Sequence, residues 1–199
     1  MLASPALADK AVISNHELMD KLAAEVAREL MNSVSSDIGM GHVTLVPQEK
    51  GQHYDFVNHV FTRILTWTGH KVYSPGAQKG GEGSMLRFEY WVLDFDLSYP
   101  KIYRSYLIGG KKVKRSADVK LLAKLIDPSD ESVAWIGEAS RSHEDQFAYK
   151  LLPDVEAGMF AFTKPPRTTT KWGKLVEPVV VGGILVGLIY LFFSNQNDS

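Results

Sequence analysis

Cysteine is missing from all 199 residues of the sequence. No residue can therefore form a disulfide, hold zinc through a thiolate, act as a cysteine nucleophile or carry a thiol-linked lipid. The absence does not indicate a compartment, because a reducing cytosol and a disulfide-free periplasmic domain both permit it.

The chain also lacks a charge excess of either sign, since 22 basic and 23 acidic residues give a formal net charge of −1. No global field attracts polyanions, so nucleic acid is not a predicted partner. The hydrophobic content of 45% indicates a folded domain with a core. The length leaves room for one domain and a further segment.

Motifs for cofactors, metals and catalysis are absent as well. The histidines form no HxxxH, HExxH or HxH pair, and there is no GxSxG stretch. The glycine-rich stretch 74–84 has Glu82 where a phosphate-binding loop needs Lys and then Ser or Thr, which favours a connector. We predict no cofactor and no metal. An enzymatic alternative would need a site assembled from scattered groups such as Asp94, Asp96 and His143.

What the sequence does contain is a long apolar run near its carboxyl-terminal end. Residues 178–193 carry no charge, and extension back to Leu175 adds one glutamate. As a helix, 175–193 would span roughly 28 Å, close to the ~30 Å hydrocarbon core of a bilayer. We predict a transmembrane helix there, the alternative being a buried core helix. Side chains that favour the head-group region flank it: Trp172, Lys174 and Tyr190.

The neighbourhood of this helix has three further predicted features. Gly183 and Gly187 form a GxxxG pair, a spacing that lets two helices approach closely, so the chain is predicted to self-associate through this face. Residues 163–174 have no apolar periodicity and contain two prolines, which favours an extended linker. Residues 194–199 form a polar tail.

Residues 9–162 show the patterns of one soluble α/β (α+β) domain. Ser14 and Glu17 predict a capping box, followed by an amphipathic helix to about Val34. The next elements predict a β-α-β unit: a strand over 41–47, a helix over 54–69 and a strand over 70–73.

The second half of the domain is rich in strands. After Val92 the apolar face of the strand that begins at Leu86 switches by one residue, which predicts a bulge or a strand covered on both faces. The glycine pair 109–110 predicts a hairpin turn, and 143–162 predicts a broken helix. The expected fold is a mixed sheet of about five strands with two to three packing helices.

One dense basic cluster stands out from the balanced charge: Lys111, Lys112, Lys114 and Arg115. On a hairpin these side chains are either solvated or available for an anionic surface. The second interpretation predicts contact with anionic lipid head groups or with an acidic patch of a partner.

The order of elements resembles that of bacterial envelope proteins grouped around the curli-transport component CsgG, the amino-terminal domain of TolB and the synthase activator LpoB. The resemblance covers roughly Leu18 to Asp145, with a helix followed by GHKV and the stretch LLAKLIDPSDESVAWIGEAS. It implies an envelope domain that binds other proteins without a cofactor or catalytic residues. The lipoprotein members carry a lipidated cysteine, for which the carboxyl-terminal helix is a substitute anchor here.

Two signals disagree about the side of the membrane on which the domain lies. Ala6-Leu7-Ala8 before Asp9 fits a signal-peptidase site, so 1–8 is interpreted as a signal-peptide remnant and the domain as periplasmic. The basic residues within 163–174 place the domain in the cytoplasm by the positive-inside rule.

The sequence thus predicts a non-enzymatic, membrane-anchored interaction or assembly module of the bacterial cell envelope. It would cross the inner membrane once and bind an envelope protein. A cytoplasmic tail-anchored adaptor is the alternative, with the scattered-site enzyme behind it.

Overall fold

The computed structural model describes residues 12–34, 38, 41–76, 85–104 and 110–167. Their strands form one mixed sheet in the order β2-β1-β3-β4-β5, parallel between β1 and its neighbours β2 and β3 and antiparallel from β3 to β5. The predicted mixed five-stranded fold is confirmed. The elements are α1 (Asn15–Ser33), β1 (His42–Pro47), α2 (Gln52–Trp67), β2 (Lys71–Tyr73), β3 (Leu86–Arg104), β4 (Lys111–Asp127), β5 (Ser132–Ala148) and α3 (Leu152–Val155), followed by a short 3-10 turn at Ala161–Thr163.

Local sequence sets the ends of the two long helices. The Ser14 hydroxyl accepts a hydrogen bond from the Glu17 backbone N–H (3.2 Å), and the Glu17 carboxylate accepts from the Ser14 backbone N–H (2.9 Å). This is the predicted capping box, which satisfies amides that a helix start leaves free. Gly69 follows α2 with φ +90°, a left-handed conformation that glycine adopts without a Cβ clash.

The helices of the described chain pack on one face of the sheet, here called the inner face. Alternate residues of β1, of β3 before Val92 and of β4 point to this face and are buried, as the period-two pattern of β4 predicts. Burial of each such large apolar side chain stabilises the fold by about 1.5–3 kcal/mol. The buried core includes Leu22, Val26, Val57, Phe61, Val43, Leu45, Phe88, Val119, Leu121 and Leu125.

A bulge in β3 confirms the predicted switch of its apolar face. Val92 lies opposite Leu121 and Asp94 lies opposite Lys120, so Leu93 is an extra residue. After the bulge, Leu97 is buried on the inner face, which an unbroken alternation from Val92 would have sent outward.

The helix predicted over 143–162 is wrong in its first part, because β5 continues to Ala148. Phe147 packs into the core, and Asp145 reaches the buried Arg115 of β4, so tertiary contacts favour the strand. Pro153 lies within α3, in the first turn, where its missing N–H costs no helical hydrogen bond.

In the part of the chain that the structure describes, no helix is long and apolar enough to cross a bilayer. The predicted transmembrane helix over 175–193 lies outside the described residues. So do the residues predicted to anchor it or to mediate self-association: Trp172, Lys174, Gly183, Gly187 and Tyr190.

Candidate functional site

The outer face of the sheet, opposite the helices, carries a small apolar cluster. Trp91 of β3 lies opposite Leu122 of β4, while Val46 and Ile136 lie in the adjacent row on β1 and β5. Ile136 is 60% exposed, and the other three are partly exposed. We call these four residues the outer-face patch.

A charged group lies between the members of the outer-face patch. Glu89 accepts a hydrogen bond from Arg87 Nε (2.8 Å) and lies 3.5 Å from Lys124 Nζ. Lys124 Nζ in turn lies 4.7 Å from the centre of the Trp91 ring, a cation–π contact. The outer-face patch thus combines exposed aliphatic side chains with a tryptophan, a residue type enriched among the energetically dominant residues of protein interfaces.

Beyond the patch, the outer face is polar and its charges are largely paired. Lys120 lies 2.8 Å from Glu138, and Lys114 lies 2.7 Å from Glu144. Asp118 accepts a hydrogen bond from Ser142 of β5 (2.5 Å). The patch therefore has the polar surroundings that are usual around an interface core.

The residues of the enzymatic alternative are not brought together. Asp94 and Asp96 share the outer face, opposite Lys120 and Asp118. His143 lies opposite Ala117 in the inner-face row, so the sheet separates it from the two aspartates. Among the described residues, no group of histidine and carboxylate side chains could hold a metal ion.

Apart from the outer-face patch, the described residues form a cleft of about 460 Å³ between α1 and α2. Its polar residues include Asp20, which accepts two hydrogen bonds of 2.8 Å from Arg63 Nη2. His16 stacks on Phe160 at 5.9 Å and meets Phe56 edge-on at 5.6 Å, which gives the cleft an aromatic wall. The backbone hydrogen bond from Ser14 lowers the pKa of Glu17 at its rim.

Two buried atoms beside this cleft, His16 Nδ1 and Arg63 Nε, have no hydrogen-bond partner in the described chain. A carboxylate-lined cleft with aromatic walls suits a small polar or cationic group. No sequence pattern predicts this cleft, because His16 and Arg63 lie on different helices.

The prediction that Arg115 belongs to a basic cluster on the surface is wrong, because its side chain is fully buried. The guanidinium donates to both oxygens of Asp145 (2.9 and 2.5 Å), to the Ile13 carbonyl (3.0 Å) and to Asn15 Oδ1 (2.9 Å). Its position in the inward row of β4, with Val113 and Ala117, explains the burial. Arg115 therefore cannot contact an anionic surface.

Asn15 extends this buried network across the domain. Its Nδ2 donates to the Tyr99 hydroxyl and to the Thr163 carbonyl, both at 2.7 Å. Burial raises the pKa of Tyr99 to about 12. The network joins the start of α1, the sheet and the last 3-10 turn. Sequence reasoning missed it, although Asn15 lies on the apolar stripe of α1, where a polar residue signals a buried partner.

The three lysines of the predicted cluster do reach the surface. Lys111 and Lys112 are exposed, and Lys114 is partly exposed and paired with Glu144. The turn between β3 and β4 that includes Gly109 lies outside the described residues.

No protein-family model matches the chain, and no curated protein is similar to it. Three solved bacterial structures are similar in part. A neuraminyllactose-binding hemagglutinin homolog from Helicobacter pylori is 13% identical over 53% of this chain and 66% of its own, with a TM-score of 0.34. A minor lipoprotein from Acinetobacter baumannii is 9% identical over 58% and 76%, with a TM-score of 0.37.

The third, lipoprotein GNA1162 from Neisseria meningitidis, is 15% identical over 71% of this chain and 96% of its own, with a TM-score of 0.35. All three are bacterial proteins, and two are lipoproteins by name. Similarity at this level assigns neither a family nor an activity. The resemblance to the CsgG, TolB and LpoB group stays a prediction.

Proposed function

We propose that this chain is a non-enzymatic, membrane-anchored protein-interaction module of the bacterial cell envelope, and that the outer-face patch binds its protein partner. The observation that carries the proposal is the exposure of Ile136 on the sheet face that also carries Trp91, to which no helix of the described chain packs. A partner that covers the patch would bury apolar surface worth roughly 25 cal/mol per Å².

The separation of the candidate catalytic groups supports the non-enzymatic part of the proposal. General acid–base chemistry needs its groups within hydrogen-bond reach of one substrate. Asp94 and Asp96 lie on the outer face, and His143 lies in the inner-face row. The alternative site therefore has no common pocket in which to act.

Anchoring and location rest on the sequence. We propose that the helix over 175–193 crosses the inner membrane once, that the domain is periplasmic, and that Gly183 and Gly187 pair two copies. Fusion of a periplasm-active reporter and of a cytoplasm-active reporter after Ser199 gives the orientation. Activity of the periplasmic reporter alone would place the domain in the cytoplasm and favour the adaptor.

Site-specific photo-crosslinking of the full chain in its own membrane tests the binding role. A benzophenone side chain at Ile136 is expected to give one discrete adduct with an envelope protein. The Trp91→Glu substitution should abolish the adduct, because it places a charge in the buried centre of the interface.

The control position is Lys50, which is exposed in the loop before α2. The same adduct from Lys50, or no dependence on Trp91, would contradict a role for the outer-face patch.

A further inference from the structure

Five exposed cations meet at one end of the sheet, where β3 ends, β4 begins and β5 ends. We call this surface the basic end, and its members are Lys101, Arg104, Lys111, Lys112 and Lys150. None of the five forms an ion pair within the described chain. Two acidic residues come next in the chain, Asp154 within α3 and Glu156 directly after it. The cations therefore outnumber the acidic residues here.

The register places like charges directly against each other at this end. Arg104 lies opposite Lys111, and Lys101 lies opposite Lys114. Like charges directly opposite on antiparallel strands are destabilising. Near the other end of the same ladder, Glu89 instead lies opposite Lys124. The charges of the basic end therefore do not serve strand pairing.

Two tyrosines lie against the lysines of the basic end. Lys101 Nζ is 5.3 Å from the centre of the Tyr103 ring, and Lys111 Nζ is 5.3 Å from that of Tyr149. Both rings are partly exposed. Tyrosine and lysine together favour the head-group layer of a bilayer, where the ring meets apolar carbon and the cation meets phosphate.

The last 3-10 turn of the described chain is connected to the half of β4 that contributes to the basic end. The Thr163 carbonyl accepts from Asn15, whose Oδ1 accepts from Arg115. Arg115 lies four residues after Lys111 on β4, about 13 Å along the strand. Thr163, where the predicted linker starts, is therefore joined to β4 at Arg115, in the same half of the strand as Lys111.

We infer that the basic end is a membrane-docking surface that takes the anionic phosphate head groups of lipids. The inference rests on the proposed membrane anchoring, which would hold the domain near a bilayer. Anionic lipid attracts cations that lie within a Debye length of the surface. The surface comes from three separate strands or strand ends, so the contiguous cluster in the sequence contained only part of it.

The test uses the full chain in nanodiscs that contain a rhodamine-labelled lipid. Gly110→Cys gives a single labelling site at the basic end, since the chain has no cysteine and a Cβ at Gly110 meets no atom within 4 Å. Pro128→Cys labels the opposite end of the strands. Energy transfer from Gly110→Cys is expected to rise when phosphatidylcholine is partly replaced by phosphatidylglycerol. It should fall again in 1 M salt, where the Debye length shrinks to about 3 Å.

Reversal of four cations, in a variant with Lys101→Glu, Arg104→Glu, Lys112→Glu and Lys150→Glu, should remove the response to anionic lipid. The matched control reverses four exposed cations elsewhere and should keep it: Lys21→Glu, Arg28→Glu, Lys50→Glu and Lys71→Glu. Equal transfer in neutral and anionic nanodiscs would overturn the inference and leave the anchor intact. Loss of the response to anionic lipid in both variants would also overturn the inference, because the net charge of the chain would then explain the response. Failure of the full chain to float together with liposomes in a density gradient would contradict the proposed anchor as well as the inference.

Discussion

At the end of the three long strands where β4 turns into β5, the acidic groups are satisfied within the chain. Asp127 accepts from the Ser129 hydroxyl (2.7 Å), Asp130 accepts from the Ser132 backbone N–H (2.9 Å), and Glu131 receives two hydrogen bonds from Arg87 (3.1 and 2.5 Å). At the other end, the five exposed cations of the basic end have no ion-pair partner among the described residues, whereas the buried Arg115 pairs with Asp145 and donates to two neutral oxygens.

The difference shows that a strand sorts its charges by the face to which each points. Lys114 and Arg115 are neighbours in sequence, yet one pairs at the surface with Glu144 and the other is enclosed with Asp145. The enclosed pair and the acidic turn stabilise the fold, while the exposed cations stay available for a ligand. Composition alone assigns all of them the same role.

The enclosed pair is expected to give the largest effect. Asp145→Ala leaves the Arg115 cation buried, which costs roughly 3 kcal/mol of the free energy of unfolding, at the lower end of the usual range because Asn15 and the Ile13 carbonyl still accept. Urea unfolding of the full chain in detergent, followed by tryptophan fluorescence, measures the loss.

Glu144→Ala, one position earlier, is the matched control. It removes an exposed partner of Lys114 and should cost less than about 1 kcal/mol. Equal losses in the two variants would show that burial does not distinguish the pairs.

The same network should make the protein sensitive to alkali. The pKa of Tyr99 is about 12 in the folded protein against 10.0 for a free tyrosine, so between these pH values the unfolded chain has released a proton that the folded chain keeps. The free energy of unfolding therefore falls as pH rises, by about 2–3 kcal/mol for this residue.

Tyr99→Phe is expected to flatten this decline, although it loses the acceptor for Asn15 and is less stable by about 1 kcal/mol at neutral pH. Burial also raises the pKa of Tyr90, so part of the slope remains. An unchanged slope in Tyr99→Phe would exclude Tyr99 as its source.

The acidic turn should give the smallest effect and the opposite pH dependence. The hydrogen bonds from Arg87 lower the pKa of Glu131, and those from Ser132 lower the pKa of Asp130. Groups with a lowered pKa stabilise the folded state above the ordinary pKa, near 4, and lose that contribution as pH falls through the folded value.

Glu131→Gln is therefore expected to reduce the free energy of unfolding slightly at neutral pH. It should also make that free energy decline less as the pH falls. Urea midpoints from pH 7 to pH 3 measure this. A larger loss at pH 3 than at pH 7 would reverse the assignment.

The parts of the fold that depend on neighbouring residues could be predicted from the sequence. The capping box at Ser14, the stop at Gly69 and the bulge after Val92 each follow from a short pattern with one physical cause. The alternation of β4 predicted its buried row from Ala117 onward, and the same alternation continued back to Arg115 would have placed that residue inside.

The parts that depend on distant residues could not. Asn15 meets Tyr99 and Thr163 across 84 and 148 positions, and no periodicity relates residues so far apart. The local sequence of residues 143–148 predicts the start of a helix. The residue whose pairing with Asp145 favours a strand, Arg115, lies 30 positions earlier. The outer-face patch and the basic end depend on strand register in the same way.

The bulge at Leu93 lets one strand serve two sites. Up to Val92 the strand places Trp91 on the outer face, and beyond the bulge it points Phe95 towards α2. Because Leu93 is an extra residue, the alternation between the two faces of β3 is shifted by one residue from Asp94 onward. Deletion of Leu93 would bring Asp94 directly after Val92 in register with Lys120, so Asp94 and Asp96 would stay on the outer face, and we expect a folded protein that keeps its cooperative unfolding.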